Sequence, residues 1–384
     1  MMTDALDLIY LVSCTVNGQK PDLQRCAEMD ISVIFELAQR HFLIIAAATA
    51  LSQAVTLPAY FIEEQCKAVR RLLTFSVEWE KLQNEMERRG IWYMPLKGVV
   101  IKDYYHPPEI REMCDNDILF DAARADDVKA LLEQAGYSCV RYNSGHHDIY
   151  NKCKYLTFEM HRYLFEEHDF PQLFSYYRNI HERMVADNGK AFGYHLAQED
   201  FYIFLICHLY KHYRISGTGL RSLLDIYVFR RAAGAQMDAA YIGRELKKLG
   251  LLSFEQDTAR LAQKVFSQQA LNAEEQTELD FYIVANSHGS RNILTANRLK
   301  NDDSLKSKGR YALRRIFPSQ EKLKRSHPFV IRQKILYPLL VVYRPIKGMV
   351  KHRKQMKKEI HSLIRFKQTS TGKYSNDGCF IVSA

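Results

Sequence analysis

The sequence predicts an α+β protein, in which a small mixed sheet with helices is flanked by N- and C-terminal helical regions. Apolar residues recur at helical spacing in 1–85 and again in 171–300. Between these regions, residues 86–170 contain short apolar runs separated by glycine and proline, which is typical of strands joined by turns. A chain of 384 residues is long enough for two or three domains.

Five segments follow from these patterns. They are an N-terminal helical region (1–85), a mixed α/β core (86–170), a helical domain (171–300), a basic helical C-terminal segment (301–367) and a flexible tail (368–384). In the core we expect strands at 91–94, 114–120 and 137–142, helices at 99–105 and 124–134, and a hairpin of 148–150 with 155–163.

Composition favours a soluble cytoplasmic protein. The hydrophobic fraction is 47%, and none of the eight cysteines forms a C-x-x-C pair, which indicates buried thiols in a reducing compartment. The start of the chain carries no basic segment of the kind that precedes a secretory signal. Residues 42–62 lack charge, but Thr49, Ser52 and Pro58 favour a buried helix over a membrane span.

Positive charge is concentrated in residues 305–367, which hold 19 Lys and Arg against 2 Asp and Glu. Such a segment attracts polyanions, namely nucleic acid, acidic polysaccharide or an anionic membrane surface, to which the protein would then be peripheral. The alternative is a solvated basic face on packed helices.

Two acids in the predicted strand 114–120 are the leading candidates for chemistry. Because side chains alternate, Asp115 and Asp117 share a face, about 7 Å apart at roughly 3.3 Å per residue. Their repulsion is relieved by a cation, and Mg²⁺ suits carboxylate and phosphate oxygens. Glu159 shares a strand face with His161 and could complete a site for two ions. A D-x-D pattern alone is more typical of solvated acids at a strand edge.

A turn before the acids supplies candidate phosphate contacts. Leu96-Lys97-Gly98 stands between a strand and a short helix, where backbone N–H groups and an ammonium could cradle phosphate. Arg111 could bind triphosphate oxygens bidentately or pair with Glu109.

Together these motifs resemble a known family. Residues 93–98 (ending Leu-Lys-Gly), 111–120 (Arg-Glu-Met-Cys-Asp-Asn-Asp-Ile-Leu-Phe) and 158–161 (Phe-Glu-Met-His) are similar to the L-K-G, R-x-M-x-D-x-D and E-x-H elements of the "uncharacterised nucleotidyltransferase" family. This family belongs to the DNA polymerase β-like superfamily, and its members are mostly bacterial. The resemblance implies a polymerase β-like nucleotidyltransferase core and transfer of a nucleotidyl group from an NTP, usually ATP, with Mg²⁺ or Mn²⁺.

The resemblance also assigns roles by position. Asp115 and Asp117 correspond to the catalytic metal-binding pair and Glu159 to the third carboxylate, while Lys97 and Gly98 stand where the superfamily usually has the Gly-Ser of its triphosphate site. Asn116 departs from the usual aliphatic residue between the acids, and a buried amide needs partners.

Three further residues are expected to support the site. His161 would orient Glu159 by hydrogen bonding. Arg221 and Asp225, four residues apart on a helix, would pair on its surface or line the cleft opposite the acids.

Two functions from different classes remain. The first is a metal-dependent nucleotidyltransferase whose acceptor hydroxyl belongs to a saccharide, RNA, a protein or a small molecule. The second is a catalytically silent module that binds a nucleotide or polyanion and acts through the basic C-terminal segment.

Overall fold

The structure is a computed structural model of the chain. It describes residues 2–153 and 155–286, together with 289, 293 and 294. The basic segment 301–367 and the tail 368–384 lie outside the described residues, so the expectations for them stay predictions. The chain divides into two compact units, one formed by 1–210 and 220–271 and the other by 211–219 and 272–384.

Most of the described chain is helical, as the apolar spacing predicts. The α-helices are α1 (Met2–Asn17), α2 (Leu23–Glu28), α3 (Ile31–His41), α4 (Ile44–Leu51), α5 (Ala59–Arg88), α6 (Gly98–Ile101), α7 (Ala125–Gln134), α8 (Pro171–Tyr176), α9 (Gln198–Ile215), α10 (Leu220–Ala233), α11 (Ala239–Lys248), α12 (Leu252–Phe266) and α13 (Ala273–Ala285). The uncharged stretch 42–62 contains the buried helix α4 and the turn that leads to α5. No helix in the described part of the chain is both long enough and apolar enough to cross a membrane.

The strands form one mixed five-stranded sheet and one small hairpin. They are β1 (Tyr93–Pro95), β2 (Asn116–Phe120), β3 (Ser138–Arg141), β4 (His147–Lys152), β5 (Leu156–His161), β6 (Met184–Ala186) and β7 (Tyr194–Leu196). The sheet order is β1-β2-β5-β4-β3, and β6 pairs with β7. Strands β2 and β5 are parallel, while the other neighbours in the large sheet are antiparallel. The mixed sheet between helical regions confirms the α+β fold class.

One face of the sheet packs against helices and the other carries the acids. Ile118 and Phe120 of β2 and Phe158 and Met160 of β5 are buried in a cluster with apolar residues of α5 and α7. Because the side chains of a strand alternate, Asp117, Glu159 and the other odd-numbered residues of β2 and β5 lie on the opposite face. The hydrophobic core thus packs against one face of the sheet, and the acids lie on the other.

Three local predictions differ from the structure. Strand β2 begins at Asn116, so Asp115 lies just before it rather than inside it. The helix expected at 99–105 is one short α-turn, α6, followed by a 3₁₀ turn at Lys102–Tyr104. The hairpin β6–β7 lies in a region predicted to be helical, because strands of three residues are too short to leave a clear alternation.

The second unit contains α13, which begins with a capping box. Asn272 accepts from the N–H of Glu275, whose carboxylate accepts from the N–H of Asn272. Gly217 has a φ of +77°, and a Cβ there would lie 2.7 Å from the Cβ of Ala285. Glycine is therefore required at this close approach.

Candidate active site

Asp117 and Glu159 are neighbours across the parallel pair β2–β5. The strand register places Asp117 beside Glu159 and Leu119 beside His161. One ligand atom each from Asp117, Glu159 and His161 lies within 4.8 Å of the other two. The structure therefore brings together two of the three predicted carboxylates and the predicted histidine.

Asp117 accepts two hydrogen bonds from charged or polar side chains of the site. Its Oδ1 accepts from the Nζ of Lys97 at 2.6 Å and from the Nε2 of His161 at 2.8 Å, and its side chain is 5% exposed. Burial opposes ionisation, but the Lys97 ammonium and the His161 hydrogen bond hold the pKa of Asp117 well below its usual range. His161 was expected to orient Glu159, yet it bonds Asp117, and its Nε2 lies 4.0 Å from Glu159 Oε2.

Asp115 and Glu159 both have raised pKa values. Burial and the negative charge of Asp117 raise the pKa of Asp115. Burial and the charges of Asp117 and Asp115 raise the pKa of Glu159 to about 7. These shifts mark an acidic cluster that a cation would stabilise, because added positive charge favours ionised carboxylates.

Lys97 adopts an unusual backbone conformation, with φ 46° and ψ −117°. Few residues other than glycine adopt positive φ without strain, and such strain is characteristic of functional sites. Although burial disfavours the charged form, the carboxylates of Asp117, Asp115 and Glu159 raise the pKa of Lys97. The turn thus holds an ammonium against the acids.

The backbone of this turn provides less of a phosphate cradle than the sequence predicts. The N–H groups of Val99, Val100 and Ile101 donate to the carbonyls of Leu96 and Lys97, so these three are not available to a phosphate. A Cβ on Gly98 would lie 2.8 Å from both Arg111 Nη1 and Met113 Sδ. Gly98 therefore has a packing role.

Arg111 is buried in an ion pair with Asp225, and its nucleotide-binding role stays a prediction. Its Nε and Nη2 donate to the two carboxylate oxygens of Asp225 at 3.1 and 2.9 Å, and the Tyr105 hydroxyl donates to the same carboxylate at 2.7 Å. Arg111 was expected to bind triphosphate or to pair with Glu109, and Asp225 to pair with Arg221 or to line the cleft with it. In the structure Arg111 pairs with Asp225 rather than with Glu109, and Asp225 pairs with Arg111 rather than with Arg221. The pair joins the segment before β2 to α10.

The residues after Arg111 extend this connection. Glu112 is buried, and its Oε1 accepts from the N–H of Ile45 at 3.1 Å, so it caps α4, which has no side-chain cap of its own. Arg221 donates to the carbonyl of Glu112 at 3.2 Å and to Cys114 Sγ at 3.5 Å. Arg111 and Glu112 thus connect this segment to α10 and α4, and these contacts fix the backbone that leads to Asp115.

The sequence analysis missed three residues on the acidic face. The β4–β5 register places His147 opposite His161, and His147 Nε2 lies 3.5 Å from Glu159 Oε2. His146 precedes β4, and the Arg141 guanidinium contacts His147 Nε2. The predicted hairpin of 148–150 with 155–163 stops one residue short of His147, and the observed register, which pairs Tyr150 with Phe158, differs from one that closes directly at 150 and 155.

Asn116 lies on the opposite, buried face with 2% exposure. Among the described residues, its Nδ2 finds no hydrogen-bond partner. The amide is therefore unsatisfied at the position where the family pattern has an aliphatic side chain.

The sequence pattern of a family described as "uncharacterised nucleotidyltransferase" matches residues 27–267, which is more than half of the chain. The chain belongs to this family. No curated protein and no solved structure matches the chain. Membership supports nucleotidyl transfer as the general activity, and the matched range contains every residue of the acidic cluster.

Proposed function

We propose that the chain is a divalent-metal-dependent nucleotidyltransferase that moves a nucleoside monophosphate from an NTP, with ATP as the first candidate, to an acceptor hydroxyl. The observation that carries the proposal is the parallel pairing of Asp117 with Glu159, which sets two carboxylates side by side on the face of the sheet opposite the hydrophobic core.

The donor set fits Mg²⁺ or Mn²⁺. Carboxylate oxygens are the preferred protein ligands of these ions, and two ions can be held by three acids. Asp115, Asp117 and Glu159 would hold them. Burial and the negative charge of Asp117 raise the pKa of Asp115, and bound cations would favour its ionised form. Bound there, the ions supply charge neutralisation of the triphosphate and of the attacking oxygen.

The side chains of this chain divide the remaining work. The Lys97 ammonium lies 2.6 Å from the Asp117 carboxylate, and its side chain is 16% exposed. When the substrate binds, this ammonium leaves Asp117 and binds triphosphate oxygens. Glu159 is more exposed than Asp117 (23% against 5%), so of these two acids it is the better placed to accept the proton of an acceptor hydroxyl. His161 keeps Asp117 oriented.

The proposal is tested by release of pyrophosphate from each NTP in the presence of Mg²⁺ or Mn²⁺, with candidate acceptors added in turn. Glu159→Gln keeps the shape of the side chain and should lower the rate about 100-fold or more, and Asp117→Asn should abolish it. Asp257→Asn, at an exposed position of α12, is the matched control and should be fully active.

The silent module is the competing function. It is favoured if every NTP gives the same background rate with the native chain and with Asp117→Asn while nucleotide still binds. An acceptor-dependent rate that vanishes in Asp117→Asn and persists in Asp257→Asn excludes it.

A further inference from the structure

Three histidines gather beside the acidic cluster. One ring nitrogen each from His146, His147 and His161 lies within 4.8 Å of the other two. The ring centroids are 4.4 Å apart for His146 and His147, 5.0 Å for His147 and His161, and 5.5 Å for His146 and His161. Neither nucleotide binding nor the three-carboxylate mechanism uses His146 or His147.

We propose that these three imidazoles form a second site, which binds a first-row transition-metal ion of the Zn²⁺ type with Glu159 as an additional ligand. Imidazole nitrogen favours Zn²⁺, Co²⁺, Ni²⁺ and Cu²⁺, whereas carboxylate oxygen suits Mg²⁺. Three histidines and one oxygen make a four-coordinate zinc set.

The separations around Glu159 fit one shared ion. Glu159 Oε2 lies 3.5 Å from His147 Nε2 and 4.0 Å from His161 Nε2. Ligands arranged tetrahedrally at zinc distances are about 3.4 Å apart, so side-chain rotation closes the set, provided that His161 Nε2 exchanges its 2.8 Å hydrogen bond to Asp117 for the ion. Glu159 then stands between the carboxylate site and the histidine site.

A carboxylate behind His146 supports the ligand role. Glu166 Oε1 lies 3.1 Å from His146 Nδ1 and accepts from the His146 backbone N–H at 2.8 Å. Metal-binding histidines are typically fixed in this way by a carboxylate on the ring nitrogen that faces away from the ion. Gly145, with φ +117°, permits this contact, because a Cβ there would be 3.0 Å from the same oxygen.

Arg141 is the competing cation. Its guanidinium contacts His147 Nε2, so an ion must displace it from the nitrogen lone pair. On the other side of the ring, His147 Nδ1 is buried and has no hydrogen-bond partner among the described residues. The imidazole of His147 is thus poorly satisfied, because its Nδ1 has no hydrogen-bond partner among the described residues and its Nε2 contacts the positively charged Arg141 as well as Glu159.

The test uses the full chain stripped of metal and titrated with Co²⁺, whose visible absorption reports ligand type and geometry, in excess Mg²⁺ and without nucleotide. We expect a Co²⁺ spectrum that Zn²⁺ abolishes and Mg²⁺ does not. His146→Asn and His147→Asn should each weaken binding more than Glu166→Gln, for which about 10-fold is expected from the loss of an outer partner. His195→Asn, an exposed histidine paired with Asp187, is the control and should bind as the native chain does.

Arg141→Gln keeps all three imidazoles and removes the competing cation, so it should tighten Co²⁺ binding. Because a gain in binding cannot result from misfolding, this variant tests the site even if a histidine variant fails to fold. Displacement of Co²⁺ by Mg²⁺, or native binding by a folded His147→Asn, would overturn the proposal. The Co²⁺ titration contains no nucleotide, so its result is independent of the pyrophosphate assay. Co²⁺ binding in a chain that releases no pyrophosphate would refute the transferase alone. Pyrophosphate release by a chain that does not bind Co²⁺ would refute the histidine site alone.

Discussion

The Nζ of Lys97 lies 2.6 Å from Oδ1 of Asp117, so the acidic cluster contains a counter-charge from the chain itself. Lys97 joins β1 to α6 and Asp117 is the second residue of β2, and the N–H of Leu96 donates to the carbonyl of Asp117 at 2.9 Å. The strained turn and the acid are therefore fixed to each other by both backbone and side chain.

Lys97→Gly should be more stable than Lys97→Ala by about 1 kcal/mol, although both remove the ammonium. A φ of 46° is strained for alanine but is readily adopted by glycine. The strain energy that glycine removes should exceed the cost of its greater conformational entropy in the unfolded chain. Urea unfolding of the two variants measures the difference.

Both Lys97 variants should also gain more thermal stability from Mg²⁺ than the native chain does, because their acids have lost a counter-charge. Equal stability of the two variants would show that the turn is unstrained, and an equal Mg²⁺ effect on all three chains would show that the ammonium does not compete with the ion.

The residues of the acidic cluster could be predicted in part from local pattern. Alternation along β2 and β5 places Asp117 and Glu159 on the side of each strand away from the core. His147 joins them only through the β4–β5 register, which the sequence pattern did not define. The partner of Arg111 could not be predicted in this way. Asp225 lies 114 residues further along the chain, and only the packing of α10 decides whether it meets Arg111, Arg221 or solvent.

Arg111→Met should destabilise the protein by about 3–5 kcal/mol, because it leaves the Asp225 carboxylate buried without its cation. The double variant Arg111→Met/Asp225→Asn should recover much of this loss, since the amide is neutral and still accepts from Tyr105. A double-mutant cycle by denaturant unfolding measures the coupling. An Arg111→Met protein of native stability with weakened NTP binding would instead return Arg111 to the nucleotide-binding role.

Gly98→Ala should cost about 1–3 kcal/mol of stability, because the new methyl group would overlap Arg111 Nη1 and Met113 Sδ in a closely packed junction. Gly243→Ala in α11 is the matched control. Apart from its chain neighbours and the backbone of its own helix, no described residue has an atom within 4 Å of its added Cβ, so the gain in helix propensity should stabilise the chain by about 0.5–1 kcal/mol. Thermal unfolding of both variants distinguishes overlap from a general effect of alanine, and similar shifts would contradict the assignment.

Glu78 on α5 ties that helix to the sheet and should make stability depend on pH. Its carboxylate accepts from Lys152 at 2.8 Å, Lys81 at 2.9 Å and the Tyr137 hydroxyl at 3.0 Å, and its side chain is 9% exposed. Burial opposes ionisation, but these hydrogen bonds prevail and lower the pKa of Glu78 below its ordinary 4.5. A lowered folded-state pKa means that the stabilisation is fully present above 4.5 and is lost as pH falls through the folded value.

Glu78→Gln should therefore destabilise the protein at neutral pH by about 1.5–3 kcal/mol, the range for hydrogen bonds to a charged group. The difference from the native chain should shrink as pH falls below 4.5, because the native carboxyl also becomes neutral there. Urea unfolding across this range measures it, with the exposed Glu80→Gln on the same helix as control. A difference that stays constant down to acid pH would show that Glu78 contributes through its shape and packing and that its charge adds nothing.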